Sequence, residues 1–179
     1  MKIPYAISDF EKLMLEGYYY VDRTDRIPFT EQTGPYLLFL RPRRFGKSLW
    51  LSVLKNYYDL AKADQFEQLF GGLFIGKNPT PLCNQYFVLK WDFSCVDSSG
   101  TLDEIKTSLF SHINSRIDHF HSSYSEYLST EVKTDDVNAI RSFESVLSSI
   151  EKTGHKLCLF IDEYDNFANE MMARRREDD

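Results

Sequence analysis

The chain has 179 residues, 42% of them hydrophobic and 15% aromatic, and its 21 Lys+Arg against 27 Asp+Glu leave a net charge of −6. This composition supports a buried core and excludes a disordered or fibrous chain, and the acidic balance disfavours a protein whose main work is gripping nucleic-acid backbone. No apolar run approaches the ~20 residues of a membrane-spanning helix. Asp9, Glu11 and Lys12 interrupt any signal-peptide core, and Cys83, Cys95 and Cys158 form neither a C-x-x-C pair nor an even-numbered framework, so the expected location is a reducing cytoplasm.

In chain order, Ser8-Asp9-Phe10-Glu11 reads as a capping box that opens a short helix closed by Gly17. Residues 18–21 suit a short strand, and residues 24–33 a second short helix with Pro28 near its start. The uninterrupted apolar run Tyr36-Leu37-Leu38-Phe39-Leu40 predicts a strand buried on both faces. A basic loop over 41–47 leads into a strongly apolar helix over 48–61. Glycines and prolines over 71–85 predict a loop region. A strand is expected over 86–93. Thr101-Leu102-Asp103-Glu104 forms another capping box, opening a long helix with apolar residues spaced by three and four as far as Tyr127. A further helix over 136–153, ended by Gly154, precedes a strand over 156–161. Strands alternating with helices predict an α/β fold with a mainly parallel sheet.

Gly46-Lys47-Ser48 stands between an expected buried strand and a helix start. There, backbone N–H groups and the positive end of the helix dipole favour an anion, a lysine reaches outer phosphates, and the following hydroxyl takes Mg²⁺. Arg41, Arg43, Arg44 and Lys47 crowd four cations into seven residues at this end of the helix, which is unfavourable unless an anion joins them. Arg41 occupies the position six before the lysine where the common phosphate loop has glycine, and Pro42 follows it, so the loop is a variant. The second half of such a site is the apolar run 157–161 ending in Asp162-Glu163. Asp162 is the candidate Mg²⁺ ligand and Glu163 the candidate group that polarises the attacking water, with Asp165 a further carboxylate or a helix cap.

Tyr20-Val21-Asp22-Arg23-Thr24, then Arg41-Pro42-Arg43-Arg44-Phe45-Gly46-Lys47-Ser48-Leu49, then Ile161-Asp162-Glu163-Tyr164-Asp165 resemble the AAA-ATPase-like family of predicted bacterial ATP-binding proteins, whose members often carry a C-terminal PD-(D/E)XK nuclease-like domain. Arginine in place of the first loop glycine matches that family. The resemblance implies a P-loop NTPase three-layer fold, with residues 1–35 as a family-specific extension and 36–179 as the nucleotide-binding core. It implies ATP and Mg²⁺ as cofactors, with Arg43, Arg44, Phe45, Gly46, Lys47, Ser48 and Leu49 around the phosphates, Ser48 and Asp162 on the metal, and Lys47 and Glu163 as catalytic groups.

In related ATPases a further strand and a phosphate-sensing polar residue follow the Asp-Glu strand, and the present chain ends sixteen residues after Glu163. The expectation is therefore an incomplete ATPase whose turnover depends on a missing segment, a C-terminal domain or a protein partner. The alternative is a regulatory module that binds nucleotide without hydrolysing it. A nuclease is the weakest class on charge and motif grounds. His112, His119 and His121 read as a solvated helix face rather than a metal site. Tyr18, Tyr19 and Tyr20 read as packing rather than a base-stacking platform, and Arg174 to Arg176 as a solvated helix end. Asp22 and Arg23 acquire no chemical role from the sequence.

Overall fold

A computed structural model describes residues 2–40, 42, 44–165, 169 and 172 of the chain. Arg41, Arg43 and Arg174 to Arg176 lie outside the described residues. The chain divides into two compact units, residues 1–86 and 87–179.

The first unit is helical. It contains α1 (Phe10–Leu15), α2 (Ile27–Thr33), α3 (Lys47–Tyr58), α4 (Phe66–Phe70) and α5 (Phe74–Lys77). The cap of α1 is Asp9, not Ser8: the Asp9 carboxylate accepts from the Lys12 N–H at 3.1 Å. Lys12 is the third helical residue counted from Asp9, so Asp9 holds the position that the capping-box pattern assigned one residue earlier. Gly17, at φ +69°, ends α1 as expected. Phe10, Leu13, Val53, Tyr57, Leu69 and Phe70 form the core, with the Phe10 and Phe70 rings 4.9 Å apart and Tyr57 edge-on to Phe70 at 5.5 Å. The Phe10 N–H donates to Ser52 Oγ at 2.9 Å, fixing the start of α1 against α3. Within the expected loop 71–85 the chain makes the single turn α5, and Gly76 is required there. A Cβ at that position would stand 1.9 Å from the Phe70 carbonyl oxygen.

Two strands expected in this unit do not form. Residues 18–21 reduce to one bridge, Lys2 with Tyr18. The apolar run 36–40 forms no strand, and Tyr36, Leu38 and Leu40 are 94%, 68% and 75% exposed. A strand is stabilised by a neighbour that takes its backbone hydrogen bonds. Among the described residues of this unit only isolated bridges exist, Lys2–Tyr18 and Asp59–Tyr86.

The second unit holds a small parallel sheet of β1 (Tyr86–Asp92, entering from the last residue of the first unit) and β2 (Lys156–Asp162), joined through α6 (Leu102–Ser123) and α7 (Ala139–Glu151). A crossover of this kind is what a parallel pair needs. This mixed helix–strand arrangement is consistent with the expected α/β class, with two strands in the sheet among the described residues. The capping box of α6 is complete: Thr101 Oγ1 accepts from the Glu104 N–H and Glu104 Oε2 from the Thr101 N–H. The helix ends at Ser123 with Tyr124 as its cap, one turn short of Tyr127. At the start of α7, Asn138 Oδ1 accepts from the Ile140 and Arg141 N–H groups. Three consecutive strand residues, Phe87, Val88 and Leu89, are buried, so β1 has apolar cover on both faces. Phe87 meets Tyr124 edge-on at 5.1 Å, and the Tyr124 hydroxyl bonds the Val88 N–H at 3.0 Å and the Val88 carbonyl at 3.4 Å. That hydroxyl takes up both backbone polar groups of Val88. No helix among the described residues is long and apolar enough to cross a membrane.

Candidate functional site

The basic loop ends in Gly46, which sits in the left-handed conformation at φ +75° as the residue capping α3. Arg44, at φ +67°, is left-handed as well, a rare setting for a residue with a Cβ. The Phe45 N–H donates to the Pro42 carbonyl at 3.3 Å and closes a turn, so the chain folds back directly before the helix. Lys47 and Ser48 are the first residues of α3, and the Trp50 N–H is the one that returns to the Gly46 carbonyl, at 2.9 Å. No side chain among the described residues caps this helix, and its first turn contains no acid. The opening N–H groups of a twelve-residue helix therefore stand without a capping carboxylate or hydroxyl, beside the half-buried Lys47 and Ser48 and the exposed Phe45 and Arg44.

Asp162 and Glu163 belong to the second unit. Asp162 is the last residue of β2 and only 4% exposed. Glu163 follows at φ +54°, left-handed and half-buried, a strained geometry for a residue that is not glycine. Asp162 is not alone. Lys90 of β1 places its Nζ 3.0 Å from Asp162 Oδ2 and 3.7 Å from Asp92 Oδ2. Alternation along β1 sends Lys90 and Asp92 to one face and Trp91 to the other, where Trp91 packs on Phe143 at 5.1 Å. Burial works to raise the Asp92 pKa, but hydrogen bonds from Ser94 and the charge of Lys90 outweigh it and hold the carboxyl below its usual value. Sequence reasoning missed Lys90. The available signal was one lysine placed among the apolar residues of the strand Tyr-Phe-Val-Leu-Lys-Trp-Asp, two positions before its closing aspartate.

Asp22 has a structural task. Its Oδ1 accepts from the Thr24 N–H at 2.8 Å and the Thr24 hydroxyl at 2.7 Å, and its Oδ2 accepts from the Phe74 N–H at 2.8 Å. Thr24 Oγ1 in turn accepts from the Ile75 N–H at 3.1 Å. Together the two side chains cap α5 from a distant part of the chain. Partial burial works to raise the Asp22 pKa, and these hydrogen bonds outweigh it and lower it. Arg23 is exposed.

Tyr18, Tyr19 and Tyr20 line an open cleft of about 370 Å³ with Met14, Gly17 and Leu73. Tyr20 packs edge-on against Phe10 at 5.3 Å, and burial, reinforced by Asp22, raises its pKa to about 12. His112 is not a solvated residue. It is half-buried with its ring 6.3 Å from Phe93, and burial together with the Arg116 charge lowers its pKa. No cluster of three or more His, Cys, Asp or Glu with metal-binding geometry occurs among the described residues.

Comparison with known proteins adds three findings. The profile of the AAA-ATPase-like family, described as "Predicted AAA-ATPase", matches residues 4–178. An uncharacterized protein in the vnfD 5′ region of Azotobacter chroococcum mcd 1 is 42% identical over 59 residues. That stretch is 32% of this chain and 11% of the other protein, so the chain covers well under two thirds of that relative's length. No solved structure matches.

Proposed function

Because the chain belongs to the AAA-ATPase-like family, we propose that it is an Mg²⁺-dependent ATP-binding module of the P-loop three-layer class, working in the cytoplasm and coupling ATP hydrolysis to a protein partner. The observation that carries this reading is the start of α3: a left-handed Gly46, uncapped N–H groups among the described residues, no acid in the first turn, and Lys47 and Ser48 as the first helical side chains. An anion is the chemical complement of that arrangement, and a polyphosphate is the anion to which a lysine and a hydroxyl at adjacent positions are suited. Arg43, Arg44, Phe45 and Leu49 would complete the phosphate-binding run.

As donor types, a Ser48 hydroxyl and an Asp162 carboxylate suit Mg²⁺, which takes one or two carboxylates, phosphate oxygens and its own water. Bound there, the ion would neutralise charge on the phosphates. Lys47 would hold outer phosphate oxygens, Asp162 and Ser48 would hold the ion, and Glu163 would accept a hydrogen bond from the attacking water. The left-handed backbone at Glu163 supports a functional assignment for that residue, since strain of this kind concentrates at working sites.

The test is an equilibrium titration with a fluorescent ATP analogue and Mg²⁺ on the parent and on Lys47→Ala. A charge-assisted contact to phosphate is worth about 1.5–3 kcal/mol, so the variant should bind roughly 10- to 100-fold more weakly. In a form of the protein that turns ATP over, Glu163→Gln should abolish turnover and retain binding. A folded parent that fails to bind the analogue overturns the reading.

A further inference from the structure

The ion pair at the end of β2 offers more than stability. Asp162 is almost fully buried, whereas Lys90 and Asp92 have 29% and 34% of their side chains exposed. The ammonium of Lys90 hydrogen-bonds Asp162 Oδ2 at 3.0 Å, which places a positive charge on the carboxylate that would receive Mg²⁺. A second carboxylate stands ready on the same lysine. Asp92 Oδ1 is engaged by the Ser94 N–H at 3.2 Å and the Ser94 hydroxyl at 2.6 Å, and its Oδ2 lies 3.7 Å from Lys90 Nζ, outside hydrogen-bond reach. The Asp92 carboxylate is thus held in place with one oxygen turned to the lysine. A lysine's flexible stem carries its ammonium across such a gap without moving the backbone.

We propose that Lys90 is a resident counter-cation that occupies the metal seat at Asp162 and shifts to Asp92 when a divalent ion arrives. The proposal rests on the reading of Asp162 as the metal-holding carboxylate. Charge balance drives the exchange. Two carboxylates and one ammonium carry a net −1, which keeps a buried Asp162 paired when the ion is absent. With the ion bound, an ammonium left on the same carboxylate would face a dication at contact distance, and Asp92 removes that repulsion. Lys90 so sets a threshold for metal entry: a divalent ion binds Asp162 only at a concentration high enough to displace the ammonium, and phosphate oxygens lower that concentration by adding their own attraction.

The experiment measures binding of Mn²⁺ alone to the full chain by electron paramagnetic resonance. Lys90→Gln keeps a hydrogen-bond donor for Asp162 and removes the charge. It should bind Mn²⁺ about ten-fold more tightly than the parent, while Lys90→Arg behaves like the parent. The gain should vanish in Lys90→Gln/Asp162→Asn. Equal affinities of parent and Lys90→Gln, or a gain that survives loss of Asp162, make Lys90 a structural partner only and overturn the proposal. Should Lys90→Gln fail to fold, the parent decides. With its lysines reductively ¹³C-methylated, which preserves their charge, the Lys90 signal (assigned by its loss in Lys90→Arg) must shift on Mg²⁺ addition, and an unmoved signal overturns the proposal. Neither readout uses nucleotide. A parent that binds no ATP analogue would remove the proposed function and leave the Mn²⁺ result standing. Normal analogue binding with unchanged Mn²⁺ affinity removes this inference alone.

Discussion

Tyr36-Leu37-Leu38-Phe39-Leu40 and Leu157-Cys158-Leu159-Phe160-Ile161 are both runs of five apolar residues with phenylalanine fourth. The second is the body of β2, and its Phe160 is 8% exposed. The first forms no strand, and its Phe39 is 38% exposed. The local patterns are nearly the same, so the difference lies in what surrounds each run within its own unit. β2 pairs with β1, and α6 and α7 form the crossover between them. The run 36–40 belongs to a unit of helices and isolated bridges. It follows Gly34-Pro35, where Gly34 at φ +126° breaks the path from α2. Apolar patterning supplies the tendency to be buried, and a neighbouring strand supplies the hydrogen bonds that turn the tendency into a β-strand.

The sharpest test uses the equivalent phenylalanines. Phe160→Ala removes a buried ring from a packed sheet and should cost about 3–5 kcal/mol, read as a lower urea midpoint. Phe39→Ala should cost about 1 kcal/mol, because more than a third of that side chain already meets solvent. Equal losses would mean that the two runs are packed alike and would dissolve the contrast.

The second test concerns the neighbour that makes β2 a strand. Tyr124→Phe keeps the ring against Phe87 and deletes the hydroxyl that serves both backbone groups of Val88. Leaving a buried N–H without its acceptor costs about 1–3 kcal/mol. The Val88 amide should also exchange with solvent faster than in the parent, while amides of α1 and α3 hold their rates. Unchanged exchange at Val88 would show that β1 does not depend on this hydroxyl.

What was legible in the chain follows the range of the interaction. Thr101 and Glu104 are three residues apart and settle each other's hydrogen bonds, so the start of α6 could be read directly. β1, β2 and α3 were legible from continuous or periodic apolar residues. The uncapped, basic start of α3 was visible in Gly46-Lys47-Ser48 because its components are adjacent. Asp22 caps α5 through the Phe74 N–H across 52 positions, and Lys90 reaches Asp162 across 72. No local spacing encodes either contact; the fold creates both. The run 36–40 failed for the complementary reason, since its strand character depended on a partner that the local sequence does not specify.

The smallest expected effect bears on that run directly. Leu38 lies at its centre and is 68% exposed, so Leu38→Ser removes little buried apolar area. The stability change should stay within about 0.5 kcal/mol, as for surface substitutions generally. The comparable change inside β2 would place a hydroxyl among half-buried neighbours and remove more apolar contact, so its larger loss serves as the internal reference. A loss at Leu38 that matched a core substitution would mean the segment is packed in the folded chain. The apolar pattern would then have been sufficient to bury it, and the requirement for a neighbouring strand would fall.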